Sequence, residues 1–194
     1  MSKKRLGLVF ICAAFASLII LFPASGKASW EEVSLEIIKS KRILHIKMGD
    51  GILRSYKVSL GNGDSRPKSY RGDRRTPEGI YYITNLNPNS KFFYFMGLSY
   101  PNMEDAERGL KENLITFDDY FRIREKIKNH ETPPQNTALG GFVGIHGTKN
   151  YLTYDETELQ QYMDWTQGCI ALSNDAILDL INYCSPGTKV VIKE

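Results

Sequence analysis

Between residues 33 and 60 the apolar positions of the chain fall into three short runs rich in Ile, Leu and Val: Val33 to Ile38, Ile43 to Met48 and Ile52 to Leu60. Runs of this length and composition predict β-strands. Ser40-Lys41-Arg42 separates the first two. Met48-Gly49-Asp50-Gly51 predicts a hairpin turn before the third, because Asp-Gly tolerates the positive φ that tight turns need. In the third run Leu53, Tyr56 and Val58 stand against Arg54, Ser55 and Lys57. A three-stranded meander is expected.

The pattern then breaks. Gly61 to Pro77 is polar, charged and glycine-containing, and predicts a long loop; Arg66, Lys68, Arg71, Arg74 and Arg75 make it locally basic. Loops of this length are commonly functional; as a solvated loop it needs no partner, and as a site it suits an anionic group such as a carboxylate. Ile80 to Thr84 reads as another strand, and Phe92 to Leu98 as a buried, aromatic-rich run. From about residue 101 to 131 the period becomes helical. Asn102 can cap a first helix with Glu104 and Asp105 in its first turn, and Thr116 a second. Phe117, Tyr120, Phe121, Ile123 and Ile127 lie near one face of that second helix, an apolar stripe expected in the core or as its cover. Thr132-Pro133-Pro134 ends it. Phe142 to His146 and Gly168 to Leu172 predict short strands. Ser173 caps a helix to about Tyr183, and Thr188 to Lys193 predicts a last strand. The sum is a mainly β (α+β) domain with a helical insertion.

Composition fits one domain of ordinary size, with 42% hydrophobic residues among 194. The first 28 residues are set apart. Lys3, Lys4 and Arg5 precede an uncharged apolar run from Leu6 to Phe22, followed by small residues around Pro23 to Ala28. This is the pattern of a secretory signal peptide, or of an N-terminal anchor if it is retained. The mature domain is then residues 29–194, outside the cytoplasm, periplasmic or wall-associated. Cleavage after Gly26 removes Lys3, Lys4 and Arg5 and leaves 22 Lys and Arg against 22 Asp and Glu. The formal charge of +3 belongs to the leader, so it gives no argument for nucleic acid. Cys169 and Cys184 are the cysteines of the mature domain; a disulfide between them is one reading in an oxidising compartment. No Cys/His spacing of a zinc site occurs, and no metal or other cofactor is expected.

The chemistry gathers in G-I-H-G-T and D-W-T-Q-G-C-I-A-L-S-N. Alone, a His beside a strand is commonly structural, and a Cys a small buried hydrophobe. Together they form a possible nucleophile and base. A free thiol is only slightly ionised at neutral pH, and an imidazole within reach can take its proton and return it to a leaving amine. The ring needs a third group to orient it: a backbone carbonyl, or one of Asp155, Glu156 and Asp164. Gly168 would admit a substrate carbonyl close to the backbone, and the N–H groups of Gly168 and Cys169 are candidate oxyanion donors.

These motifs resemble the YkuD-type L,D-transpeptidases. The similarity extends to Tyr56-Lys57-Val58-Ser59-Leu60-Gly61, Arg75-Thr76-Pro77-Glu78-Gly79-Ile80-Tyr81, Leu98-Ser99-Tyr100-Pro101-Asn102, Leu139-Gly140-Gly141 and Gly187-Thr188-Lys189-Val190-Val191. The resemblance implies a YkuD-like β-sandwich or barrel, with Cys169 as nucleophile and His146 as base, the ring oriented by a carbonyl near Gly147. It implies positioning roles for Thr166, Gln167, Gly168 and Gly147, and substrate contacts at Asn174, Arg75 and Tyr100. The implied partners are peptidoglycan stem peptides: the amide between meso-diaminopimelate and a terminal D-Ala is attacked, a thioester forms, and an acceptor amine resolves it. That amine belongs to another stem or to a wall-linked lipoprotein lysine. The chain departs from the common S-H-G-C-x-R pattern: Gln167 replaces the His and Ala171 the Arg. The acid/base role then rests on His146 alone, and the nature of the acceptor is open. The Tyr151 to Trp165 segment is a candidate wall on the acceptor side. Two further readings stand beside transfer: a hydrolase on the same site that cuts peptide or lipoprotein links, and a non-catalytic wall-binding module with Cys169 tied to Cys184.

Overall fold

The computed structural model of the chain describes residues 32–149 and 163–194. The leader, Asp155, Glu156 and most of Tyr151 to Trp165 lie outside the described residues. Among the described residues no helix is long and apolar enough to cross a membrane.

The expected meander is present. Strands β1 (Val33–Ile38), β2 (Ile43–Met48) and β3 (Gly51–Lys57) pair antiparallel in order. The imperfect alternation of β3 has a physical counterpart: the register shifts opposite Ile46/Lys47 and leaves Ile52 exposed. The strand also ends at Lys57 rather than Leu60, because the next residues turn to pair elsewhere. Strand β4 (Gly79–Ser90) runs well past the expected Thr84, through an Asn- and Pro-containing stretch. Two irregularities absorb it where β4 pairs with β5 (Phe93–Leu98). The remaining strands are β6 (Gly144–His146), β7 (Ile170–Ala171) and β8 (Lys189–Lys193).

These strands form one eight-stranded sheet in the order β3-β2-β1-β8-β4-β5-β6-β7. The C-terminal strand β8 enters between β1, to which it is parallel, and β4, to which it is antiparallel. The two ends of the sheet then meet. Ser59, just beyond β3, exchanges two backbone hydrogen bonds with Ala171 of β7, at 2.9 and 2.8 Å. Thr166 and Asn62 continue the seam: Thr166 N–H donates to Leu60 O, and Asn62 N–H to Thr166 O. The sheet therefore curls back on itself around a core that includes Leu35, Ile37, Leu44, Ile46, Tyr81, Met96, Ile145 and Ile170.

The insertion supplies α1 (Met103–Lys111) and α2 (Phe117–Lys128). Asn102 caps α1 in a reciprocal box with Asp105, and Thr116 caps α2. A small second core of Ala106, Ile115, Ile123 and Leu139 holds them. The apolar stripe of α2 is only half used. Ile123 is buried and Tyr120 and Ile127 pack beside it, but Phe117 and Phe121 are exposed. The helix packs on α1 and Leu139 through Ile123, Tyr120 and Ile127, while Phe121 meets Tyr120 edge-on at 5.7 Å and the Arg124 guanidinium at 4.7 Å on the outer side. Helix α3 (Asn174–Leu180) starts from Ser173, whose hydroxyl accepts from Ala176 N–H, and buries Ile177 and Leu180 against the sheet.

Candidate active site

Strand β6 carries His146 as its last residue, and β7 begins one residue after Cys169. The strands are parallel, with Ile145 opposite Ile170 and His146 opposite Ala171. Side chains alternate along a strand, so Cys169 lies on the face shared by Ala171 and His146, one step back along the register. The parallel pairing of β6 and β7 thus brings the two residues to one face.

His146 is 2% exposed. Its Nδ1 lies 2.7 Å from Gly147 O. A carbonyl only accepts, so Nδ1 holds the hydrogen and Nε2 carries the free lone pair. Asp164 does not orient the ring; it accepts from Leu60 N–H at 2.9 Å and from Arg42 at 2.6 Å. Phe92 stacks on the imidazole at 4.5 Å between centroids, and Trp165 meets it edge-on at 5.6 Å. Burial lowers the pKa of His146 below its ordinary 6.5, partly opposed by the Gly147 bond.

Cys169 is half-buried, and its Sγ donates to Phe142 O at 3.4 Å. Burial pushes the thiol up to about 11, against the Gly144 N–H and the charge of Lys68, which favour the thiolate. Both shifts favour the uncharged forms, thiol and imidazole. Cys184 is also free and sits against the main core. The disulfide reading is corrected: the two sulfurs are not joined.

The turn before Cys169 is tightly specified. Gly168 has φ +126°, and a Cβ there would meet Arg75 O at 2.6 Å. A Cβ at Gly61 would meet Arg74 O at 2.2 Å and Gly168 Cα at 2.9 Å. Two glycines thus let three backbone segments close under Cys169. Thr166 completes the turn: its hydroxyl donates to Cys169 O at 2.7 Å and accepts from Gly168 N–H at 3.1 Å. That bond corrects the expected oxyanion role of the Gly168 N–H, which is already engaged. Gln167 is exposed beside it.

The expected substrate contacts divide. Asn174 Oδ1 accepts from Thr148 N–H at 2.9 Å and from the Thr148 hydroxyl at 3.2 Å. It therefore pins the turn after His146. Tyr100 is corrected to a core residue: it is wholly buried, with its hydroxyl donating to Leu139 O. Arg75 is half-buried, its guanidinium bonded to Asp64 at 2.7 Å and Ser69 at 3.3 Å. It is part of the loop's own framework. The hub of that loop is Asp73, which takes Lys68 Nζ at 2.7 Å and the N–H groups of Ser69, Tyr70 and Arg75. Burial raises the Asp73 pKa, but these donors outweigh it and hold the group below its ordinary value.

The model of the YkuD family, described as an L,D-transpeptidase catalytic domain, matches residues 32–192. The chain belongs to the YkuD family. The match spans both motifs and the whole described domain. YafK of Escherichia coli, strains K12 and O157:H7, is 30% identical over 116 residues, 53% of this chain and 47% of YafK. The chain thus spans about half the length of the curated relatives it matches. Among solved structures, the helical cell shape determining protein Pgp2 from Campylobacter jejuni (K307A mutant) superposes with a TM-score of 0.53 at 20% identity, over 85% of this chain and 48% of Pgp2. Bdellovibrio bacteriovorus Bd1075 gives 0.51 at 19%, over 84% and 48%. These likenesses show a shared YkuD fold. Of the two departures, Gln167 is exposed, and Ala171 is buried with its backbone bonded both ways to Ser59.

Sequence reading missed three side chains around this YkuD site. Phe92 carried a burial signal but nothing to place it on His146. Trp165 was noted only as part of a wall. Phe142 was read as a strand residue, yet β6 begins two residues later and Phe142 has φ +56°.

Proposed function

We propose that this protein is a secreted L,D-transpeptidase that forms a thioester between Cys169 and a peptidoglycan tetrapeptide stem, then transfers the stem to an amine. The observation that carries the reading is the orientation of His146. Its Nδ1–H is fixed on Gly147 O, which leaves Nε2 as a base on the face occupied by Cys169.

The resting thiol and imidazole favour their uncharged forms, so proton transfer accompanies attack. The Cys169 proton passes to His146 Nε2 as sulfur bonds to the carbonyl carbon of the diaminopimelate–D-Ala amide. With the Gly168 N–H given to Thr166, the Cys169 N–H is left as the candidate donor to the developing oxyanion. One such donor contributes about 3 kcal/mol in other hydrolases. Collapse breaks the C–N bond, and the imidazolium returns its proton to the departing D-Ala amine. An acceptor amine then attacks the thioester and loses its proton to His146, which hands it to the departing Cys169 sulfur. No step needs a metal. The acceptor is another stem or a lipoprotein lysine.

Purified mature protein incubated with tetrapeptide muropeptides, with products read by mass spectrometry, tests the reading. Cross-linked dimers are expected. Shortened monomers alone would reassign the second step to water. Unchanged muropeptides would refute the reaction.

A further inference from the structure

Phe142 combines three features that packing alone does not require. It is 72% exposed although it lies between the buried Leu139 and Val143 segments of the core. Its φ of +56° is a conformation that bulky side chains rarely adopt. Its backbone is held there from both sides. Phe142 N–H donates to Gln135 Oε1 at 2.5 Å, and Gln135 Nε2 is itself fixed by Tyr100 O at 3.0 Å and Pro133 O at 2.6 Å. Phe142 O receives the Cys169 thiol at 3.4 Å. Strain of this kind persists only where the surroundings hold it, and it gathers at ligand-contacting sites; here it ends in an exposed ring on the residue whose carbonyl touches Cys169.

We infer that Phe142 is a specificity-determining residue, whose ring forms the apolar wall for the aliphatic side chain of the acyl-donor residue. The inference rests on the acyl-transfer reading above and adds which part of the donor is recognised. A reacting carbonyl must come within about 3–3.5 Å of Sγ. Phe142 O is already in contact with that sulfur, so residue 142 borders the space the donor must enter. On the leaving side D-Ala offers only a methyl group. On the acyl side diaminopimelate offers a linear carbon chain long enough to cover a phenyl face.

The test uses the mature protein and two synthetic tetrapeptide donors that differ only at the third residue, diaminopimelate or alanine. D-Ala release gives kcat/KM for each. The wild type is expected to favour the diaminopimelate donor by roughly tenfold or more, the scale of discrimination by a small apolar contact. Phe142→Gly should lose most of that preference, with the loss falling on KM rather than kcat, and Phe142→Trp should restore it. The thermal midpoint of Phe142→Gly should stay close to that of the wild type, because relief of the positive φ offsets the greater freedom of glycine in the unfolded chain. A retained preference in Phe142→Gly, or a lowered midpoint, would overturn the inference: the ring would be structural. Absence of D-Ala release by the wild type with either donor would instead overturn the reaction, and this role with it.

Discussion

Replacing Gly168 by alanine separates two costs that the structure predicts will add. The first is conformational. At φ +126° an L-residue is strained, and such backbone costs of order 1–3 kcal/mol. The second is steric. The new Cβ would stand 2.6 Å from Arg75 O, a backbone atom held by its neighbours in the loop around Asp73. Overpacking of this kind costs about 1–3 kcal/mol. Alanine also stiffens the unfolded chain and returns about 0.4–1 kcal/mol. The net loss is roughly 2–5 kcal/mol. Gly187 supplies the control. It has φ +94°, but a Cβ there meets nothing within 4 Å, so Gly187→Ala keeps only the conformational part. Urea unfolding at constant m should place Gly168→Ala about 1–3 kcal/mol below Gly187→Ala. Turnover should fall in the first variant alone, since any shift of the 168 backbone moves Cys169. Equal stability losses in the two variants would refute the close packing of residues 61, 75 and 168 beneath Cys169.

Two further outcomes follow from the site. Asp164→Ala strips an acceptor from the Leu60 N–H, at a cost of about 1–3 kcal/mol, and loosens Trp165 and Thr166 beside the reacting pair. Unfolding should register the loss, and kcat should fall while Asp164→Asn, which keeps one acceptor oxygen, recovers most of it. Burial lowers the His146 pKa below 6.5, so the unfolded chain binds the proton first and stability falls as pH drops below about 6.5. His146→Gln should flatten that acid limb in urea midpoints, and the acid limb of wild-type kcat/KM should lie below pH 6.5.

Much of this was legible in the residues because local signals and tertiary demands agree. The Ile/Val/Leu runs of β1, β2 and β8 alternate between core and surface, and the caps at Asn102, Thr116 and Ser173 start helices at the expected positions. The His and Cys motifs could be paired as chemistry before any geometry. What was hidden depends on long-range contacts. Nothing near Asn85 to Ser90 encodes a strand; β5 imposes it through bulged pairing. Tyr100 gave no local sign that its hydroxyl would be buried on Leu139 O. The use of Thr166 on the Gly168 N–H follows from a turn geometry that spacing does not reveal. Phe142 was hidden for the opposite reason: its local sequence reads as strand, and Gln135 overrides it.

The central claim is that Cys169 becomes acylated with loss of D-Ala, using His146 as base. Intact-protein mass spectrometry after brief exposure to a tetrapeptide donor without acceptor tests it directly. The account predicts a mass increase equal to the donor minus D-Ala, mapped to Cys169, absent in Cys169→Ala and strongly slowed in His146→Gln. D-Ala release by Cys169→Ala at the wild-type rate, or an adduct on Cys184 in place of Cys169, would contradict it.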